Sequence, residues 1–403
     1  MWVMMAASAG VMAQKEGFGY KFYGQVRTDL FYNSRSNSET VDGLFYMYPK
    51  DVAPDADGKD LNAKPDGNFY TLYTRLGVDV TGPTLGKAKT SAKVEVDFRG
   101  SGTTYSLFRI RHVYFNLDWG KSALLVGQTW HPLYGDVAPE ILNLNMGAPY
   151  QPFSRAPQVR YRFTNKNFKL TAAAIWQSQY LSVGPSSNKV GEVTTTKSQS
   201  FMKNGCLPEF YLGMDYNRPG LLAGAGVHVS SMSPRTQSEY NNNIYKVSER
   251  VTGVSAEAHV KYVHRRFLLA AKSVLGSNLT QTSTIGGYGI TCTDSRTGEQ
   301  EYTPLRVSHT WVNMMYGSKF RGGVFAGYLK NLGASKNVLG TGTNIDQLNT
   351  LGAELTYNRP NWKFGAEYTW TGAWYGDYTD KARVTNTHLV KNNRIVLTAL
   401  FQF

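Results

Sequence analysis

The chain has 403 residues, with 26 Tyr, 19 Phe, 8 Trp and 40 Gly, and its 43 Lys and Arg outnumber 29 Asp and Glu for a formal net charge of +14. No stretch reaches the roughly eighteen consecutive apolar residues of a membrane-spanning helix, which excludes a helical membrane protein, and two cysteines are too few for a disulfide framework or a four-ligand zinc site. Tyr and Gly in such numbers fit a β protein, and the length suits either several soluble domains or one large closed architecture.

The opening MWVMMAASAGVMAQKEG is apolar for about thirteen positions and then turns polar, with small residues ahead of Gln14. This predicts a secretory signal peptide over residues 1–13, cleaved after Ala13, and leaves 14–403 as a single β-barrel domain. No Lys or Arg precedes the apolar run, and a buried N-terminal segment is the other reading of it.

Period-two alternation bounded by Gly, Pro, Asn and Asp then predicts sixteen strands. They lie near residues 20–32, 68–80, 90–98, 105–118, 122–129, 158–164, 167–178 and 207–217, and near 222–232, 253–264, 266–276, 305–316, 319–330, 348–358, 361–371 and 391–403. Tight links such as DWGKS (118–122), TNKN (164–167), NRPG (217–220), HRR (264–266), YGSK (316–319) and NRPN (358–361) alternate with long polar ones at 33–67, 130–157, 179–206, 233–252, 277–304, 331–347 and 372–390. A soluble sandwich has no reason to keep this rhythm, whereas an outer-membrane barrel has short periplasmic turns and long outer loops, and an even strand count. The expected fold is all-β, a transmembrane antiparallel β-barrel of about 16 strands in a bacterial outer membrane.

Within the strands one face is apolar and the other charged. In KVEVDFR, Val94, Val96 and Phe98 oppose Lys93, Glu95, Asp97 and Arg99; in WKFGAEYTW, Trp362, Phe364, Ala366, Tyr368 and Trp370 oppose Lys363, Gly365, Glu367 and Thr369. Apolar faces fit lipid and charged faces a watery lumen. The last segment, KNNRIVLTALFQF, keeps the period to Phe403 and is expected to close the barrel beside the first strand, YKFYGQVRTDLFY. Tyr20, Tyr32, Trp119, Tyr357, Trp362 and Trp370 suit the aromatic girdles of such a barrel.

The third long loop breaks the polar pattern. Between residues 130 and 157 it carries Pro132, Pro139, Pro149, Pro152 and Pro157 together with Leu133, Val137, Ile141, Leu142, Leu144 and Met146. So much apolar content needs shelter, and the nearest shelter is the barrel interior. Folded inward, Trp130, His131, Pro132, Tyr134 and Asp136 would narrow the channel. Around it Arg75, Arg99, Arg109, Arg111, Arg155, Arg160 and Arg162 form a basic lumen, joined by Arg27 and Lys93. Asp29, Asp79, Glu95, Asp97, Glu257, Glu354 and Glu367 share the lumenal side, so each cation has two readings, a selector of anions or a brace on the wall.

Seven histidines are scattered, and neither G-x-S-x-G nor H-E-x-x-H occurs, so no enzymatic role, metal or cofactor is expected. DVAPDADGKD starts like a calcium loop but lacks the closing Glu. Nucleic acid is excluded as a partner by the absence of a recognition module. Whether Cys206 and Cys292 pair stays open.

The stretch FRIRHVYFNLDWGKSALLVGQTWHPLYGDVAP, followed by LNMGAPYQPFSRAPQVRYRF, resembles the DcaP-like trimeric porins of bacterial outer membranes. The resemblance implies a sixteen-stranded homotrimer, an inward constricting loop, and passage of small anionic solutes such as dicarboxylates. By motif position it puts Arg109, Arg111, Arg155, Arg160 and Arg162 at the constriction. A terminal strand ending in Phe403 also resembles the signal by which the barrel-assembly machinery recognises such chains. The expectation is a passive, anion-preferring porin in contact with the lipid bilayer and lipopolysaccharide; the alternative is a barrel that docks a partner through its long loops with little channel activity.

Overall fold

The computed structural model describes residues 17–40, 43–99, 107–192, 194–339 and 342–403. The expected signal peptide lies outside the described residues. The alternating segments form strands β1 (Gly19–Asn33), β2 (Asp66–Tyr70 continued by Arg75–Leu85), β3 (Ala88–Asp97), β4 (Arg109–Asp118), β5 (Ser122–Trp130), β6 (Arg155–Asn165), β7 (Phe168–Ile175) and β8 (Glu209–Arg218). They continue as β9 (Leu221–Met232), β10 (Val251–His264), β11 (Phe267–Ser277), β12 (Arg306–Gly317), β13 (Phe320–Gly333), β14 (Ile345–Arg359), β15 (Trp362–Tyr378) and β16 (Val384–Gln402). Each pairs antiparallel with its sequence neighbours, and β1 pairs with β16, so the sheet closes. Both halves of β2 pair with β1, which makes the sheet's seventeen segments a sixteen-stranded barrel.

Closure satisfies backbone groups that an open edge would leave bare in lipid. The alternation then sorts side chains as expected. On β16, Ile395, Leu397 and Phe403 are exposed, while Arg394, Val396, Thr398 and Leu400 point inward and are buried. On β3, Val94 is exposed and Glu95 and Asp97 are buried. Tyr20, Tyr32, Trp119 and Trp362 stand exposed among the girdle residues, and Tyr357 and Trp370 are half-buried.

Two details depart from a simple period-two reading. β2 is interrupted at 71–74, and the interruption turns Leu72 and Tyr73 into the interior. A bulge between Glu95 and Val96 opposes His112 to Glu95 and Ile110 to Val96, so Arg111 and His112 both point inward.

The seam between β1 and β16 runs from Gln25 opposite Gln402 to Asn33 opposite Arg394, and Gly24 and Phe403 exchange backbone hydrogen bonds of 2.9 and 3.0 Å. A Cβ on Gly24 would lie 2.6 Å from Cζ of Phe403 and 2.9 Å from the Arg75 carbonyl oxygen. Gly24→Val is therefore expected to cost about 1–3 kcal/mol at the seam. The check is the temperature at which the folded band disappears in an unheated-versus-heated gel shift, with Gly322→Val, whose Cβ meets only the Glu354 carbonyl oxygen at 3.8 Å, as the comparison.

Candidate constriction and its arginines

Loop 3, the segment joining β5 to β6, crosses the barrel interior because each part of it finds apolar shelter on a different stretch of wall. Leu133 packs with Ile175 and Val274, and Val137 and Tyr150 pack with Trp311 and Phe325. Leu144 joins Phe31 and Tyr73, and Tyr134 and Phe153 join Phe45 of the first outer loop.

Polar groups complete the docking. Glu367 accepts from the backbone N–H groups of Leu142 and Asn143 at 2.6 and 3.0 Å, and Arg27 donates to the Leu142 carbonyl. Asn313 accepts from the Glu140 N–H at 2.9 Å, and Trp311 Nε1 donates to Gln151 at 2.8 Å. Lys272, buried on β11, donates to the carbonyls of Leu133 and Tyr134 at 2.8 and 2.7 Å. Loop backbone that would otherwise be orphaned is thus satisfied by inward side chains of β1, β11, β12 and β15.

The lumenal arginines divide into two groups. Asp97, with no exposed surface, takes a fork from Arg109 at 2.9 and 2.6 Å and a third bond from Arg111 at 3.0 Å; Arg111 also donates to Glu95 at 2.6 Å, and Arg75 lies 3.4 Å from Glu95. Arg27 pairs with Asp29 at 2.7 Å. These four brace the wall through charge-assisted bonds.

Arg99 and Arg155 differ. Both are buried, with 1% and 0% exposure, and neither has a carboxylate partner among the described residues. Arg99 lies over the rings of Tyr73 (5.1 Å) and Phe45 (6.0 Å), and Arg155 over those of Trp130 (4.6 Å) and Phe153 (5.3 Å). Among the described residues, Nε and Nη2 of Arg99 and Nε and Nη1 of Arg155 have no hydrogen-bond acceptor. Further down β6, Arg160 donates to Gln158 at 2.9 Å and to the Trp130 carbonyl, and Arg162 is half-buried with an Nε unpaired among the described residues.

Loop 3 places Trp130 and Tyr134 face to face, 3.9 Å between centroids, beside a cavity of about 360 Å³ that Tyr73, Arg75 and Arg111 also line. Burial raises the Tyr134 phenol above its ordinary value, so a neutral hydroxyl borders that space. On the other flank of the loop, Asp136 pairs with Lys169, which also reaches Asp215 at 3.0 Å, and Glu140 pairs with Arg321. Pro132 stands fully covered at the loop's start.

His131 turns away from the cavity, and it reaches a buried Glu209 at 3.2 Å, which His228 also reaches at 3.1 Å. Three such groups invite a metal reading. The Leu133 N–H, however, donates to Nδ1 of His131 at 3.1 Å, which leaves the proton on Nε2, facing Glu209. Gln177 and Gln281 donate to the other Glu209 oxygen at 2.6 and 2.9 Å, so the carboxylate is caged by donors and ties loop 3 to the loops after β7 and β11. Glu209, Lys272 and the buried Arg394 were not singled out from sequence; their inward parity on β8, β11 and β16 was the available signal.

This geometry agrees with known folds. The outer-membrane channel DcaP of Acinetobacter baumannii superposes with a TM-score of 0.65 at 19% identity over 96% of this chain and 98% of that one. The fold is that of the porins. The outer-membrane protein OmpT of Vibrio cholerae, in its trimer form, gives 0.57 at 13% identity over 96% and 100% of the two chains. An anion-selective porin from Comamonas acidovorans gives 0.54 at 10% identity over 96% and 100%. No family model and no curated protein matches the sequence. The resemblance drawn from the loop-3 region thus holds at the level of fold, and a closed, even-stranded barrel with an apolar outer belt is a bacterial outer-membrane architecture.

Proposed function

We propose that the chain is a passive porin for small hydrophilic anions, dicarboxylates among them, and not an enzyme. The observation that carries this reading is the pair Arg99 and Arg155, two buried guanidinium groups whose N–H donors are partly unpaired among the described residues, while their neighbours Arg75, Arg109 and Arg111 are ion-paired with Glu95 and Asp97. Buried charge without an ion-pair partner is costly, and its uncancelled field favours an anion in the adjacent lumen. Arg160 and Arg162 continue the positive path down β6, in a narrow low-dielectric lumen that focuses their field. A homotrimer is the proposed assembly, with lipopolysaccharide around the outer rim and Phe403 read by the barrel-assembly machinery. The trimer form of the similar Vibrio protein supports the first of these.

The test is a planar bilayer with the purified protein under a salt gradient. An anion-favouring reversal potential is expected, and a cation-favouring or zero potential would refute the selectivity. A folded barrel with no conductance would turn the reading toward docking through the long loops.

A further inference from the structure

On the outside of the barrel, at the end that carries the long loops, the tops of β12, β13 and β14 and the loop before β16 enclose a cavity of about 520 Å³. Arg306, Lys330 and Arg383 line it against one acid, Asp346, which holds Lys330 through both carboxylate oxygens at 2.7 and 2.6 Å. Arg306 and Arg383 are exposed and form no ion pair among the described residues. We propose that this pocket binds the phosphorylated head group of an outer-leaflet glycolipid. The proposal rests on the reading of the barrel as an outer-membrane porin with its long loops outward, and names the place where that membrane's anionic lipid is held.

Position, charge and rigidity each support it. Lys330 shares the outward face of β13 with Tyr328 and Val324, which are 44% and 48% exposed, and Leu351 on β14 is 58% exposed. A lipid whose acyl chains lie on those residues brings its head group up to the cations, where charge at the membrane surface is most effective. The space opens outward rather than into the lumen, and it is far larger than a bare phosphate needs.

The pocket is also pre-formed. Buried Asn331 donates to the carbonyls of Ile345 and Ala382 at 3.2 and 3.0 Å, and Leu305, Ala334, Val338 and Ala382 pack into a small core behind it. Backbone bonds from Ala334 to Lys381 and from Val338 to Asp380, both 2.7 Å, fix the strand of loop that presents Arg383. Ordering costs on binding are correspondingly small.

The test uses the full-length protein in detergent and native mass spectrometry, with a bisphosphorylated hexa-acyl glucosamine disaccharide as probe and its dephosphorylated form as control. Wild type is expected to bind the phosphorylated lipid in preference, and Arg306→Gln with Arg383→Gln to weaken it roughly tenfold or more. Lys189→Gln with Lys197→Gln, exposed loop cations elsewhere, should leave binding unchanged. Equal binding by the Arg306→Gln/Arg383→Gln variant, or equal binding of both lipids by wild type, would overturn the proposal; so would displacement of the lipid by inorganic phosphate at comparable concentration, which would mark a small-anion site. Lys330→Gln, with a smaller expected loss, serves if the double variant folds poorly. The same samples are run in the bilayer: failure of anion selectivity with lipid binding intact counts against the porin reading alone.

Discussion

Replacing Arg155 and Arg160 with glutamine is expected to lower the anion-to-cation permeability ratio at least about tenfold at low salt. A unit charge ~7 Å from a passing ion at an effective dielectric constant near 20 is worth roughly 2 kcal/mol; among the described residues Arg155 has no carboxylate in an ion pair with it, and Arg160 feels Asp136, which Lys169 already engages. The effect should shrink as salt screens the lumen. Stability should move the other way from intuition: Arg155 is fully buried with two donors orphaned among the described residues, so its loss removes a charge with no ion-pair partner there and is expected to be neutral or stabilising. Arg111→Gln provides the contrast. It strips Glu95 and Asp97 of short bonds, and should cost about 3–5 kcal/mol in a denaturant titration while changing selectivity less. If Arg155→Gln/Arg160→Gln leaves the reversal potential unchanged, these residues only support the wall.

Trp311→Ala should release the second half of loop 3. The indole is fully buried, packs with Val137, Tyr150 and Phe325, and donates to Gln151. Truncation removes the ring contacts and orphans the Gln151 acceptor, a loss of about 3–5 kcal/mol at the docking site. The barrel ladder is untouched, so the folded band should survive in a gel while single-channel conductance rises and protease cuts appear between residues 147 and 154. Unaltered conductance with an intact loop would mean that the remaining anchors, Lys272, Glu367 and Arg27, suffice.

Much of this was legible beforehand. All sixteen strands follow from period two and from turn chemistry at the short links, because lipid on one side and water on the other impose a strict alternation. The inward course of loop 3 follows from its apolar residues and prolines. What sequence could not supply is which arginines are neutralised. Arg109 and Arg111 sit in the same FRIRH pattern as Arg160 and Arg162 in QVRYRF, but the partners of the first pair are on β3, across a bulge whose position no local pattern reveals. The break in β2 was equally hidden, since Tyr73 reads as an ordinary strand residue until its ring is found between Arg27, Arg75, Arg99 and Arg111. Position alone groups His131 with the pore loop; the Glu209 cage that holds it depends on β8 and β9 meeting the loop's base.

Arg27 has one further consequence. Its guanidinium joins Asp29 on its own strand, Thr398 across the seam and the Leu142 carbonyl on loop 3, so one side chain touches both the junction that closes the sheet and the element that narrows it. Arg27 and Thr398 are 371 residues apart in sequence, the kind of contact whose loop-closure entropy makes it form late. Arg27 reaches its full set of partners only when the first and last strands have met, so sealing the cylinder and seating loop 3 are coupled through one side chain.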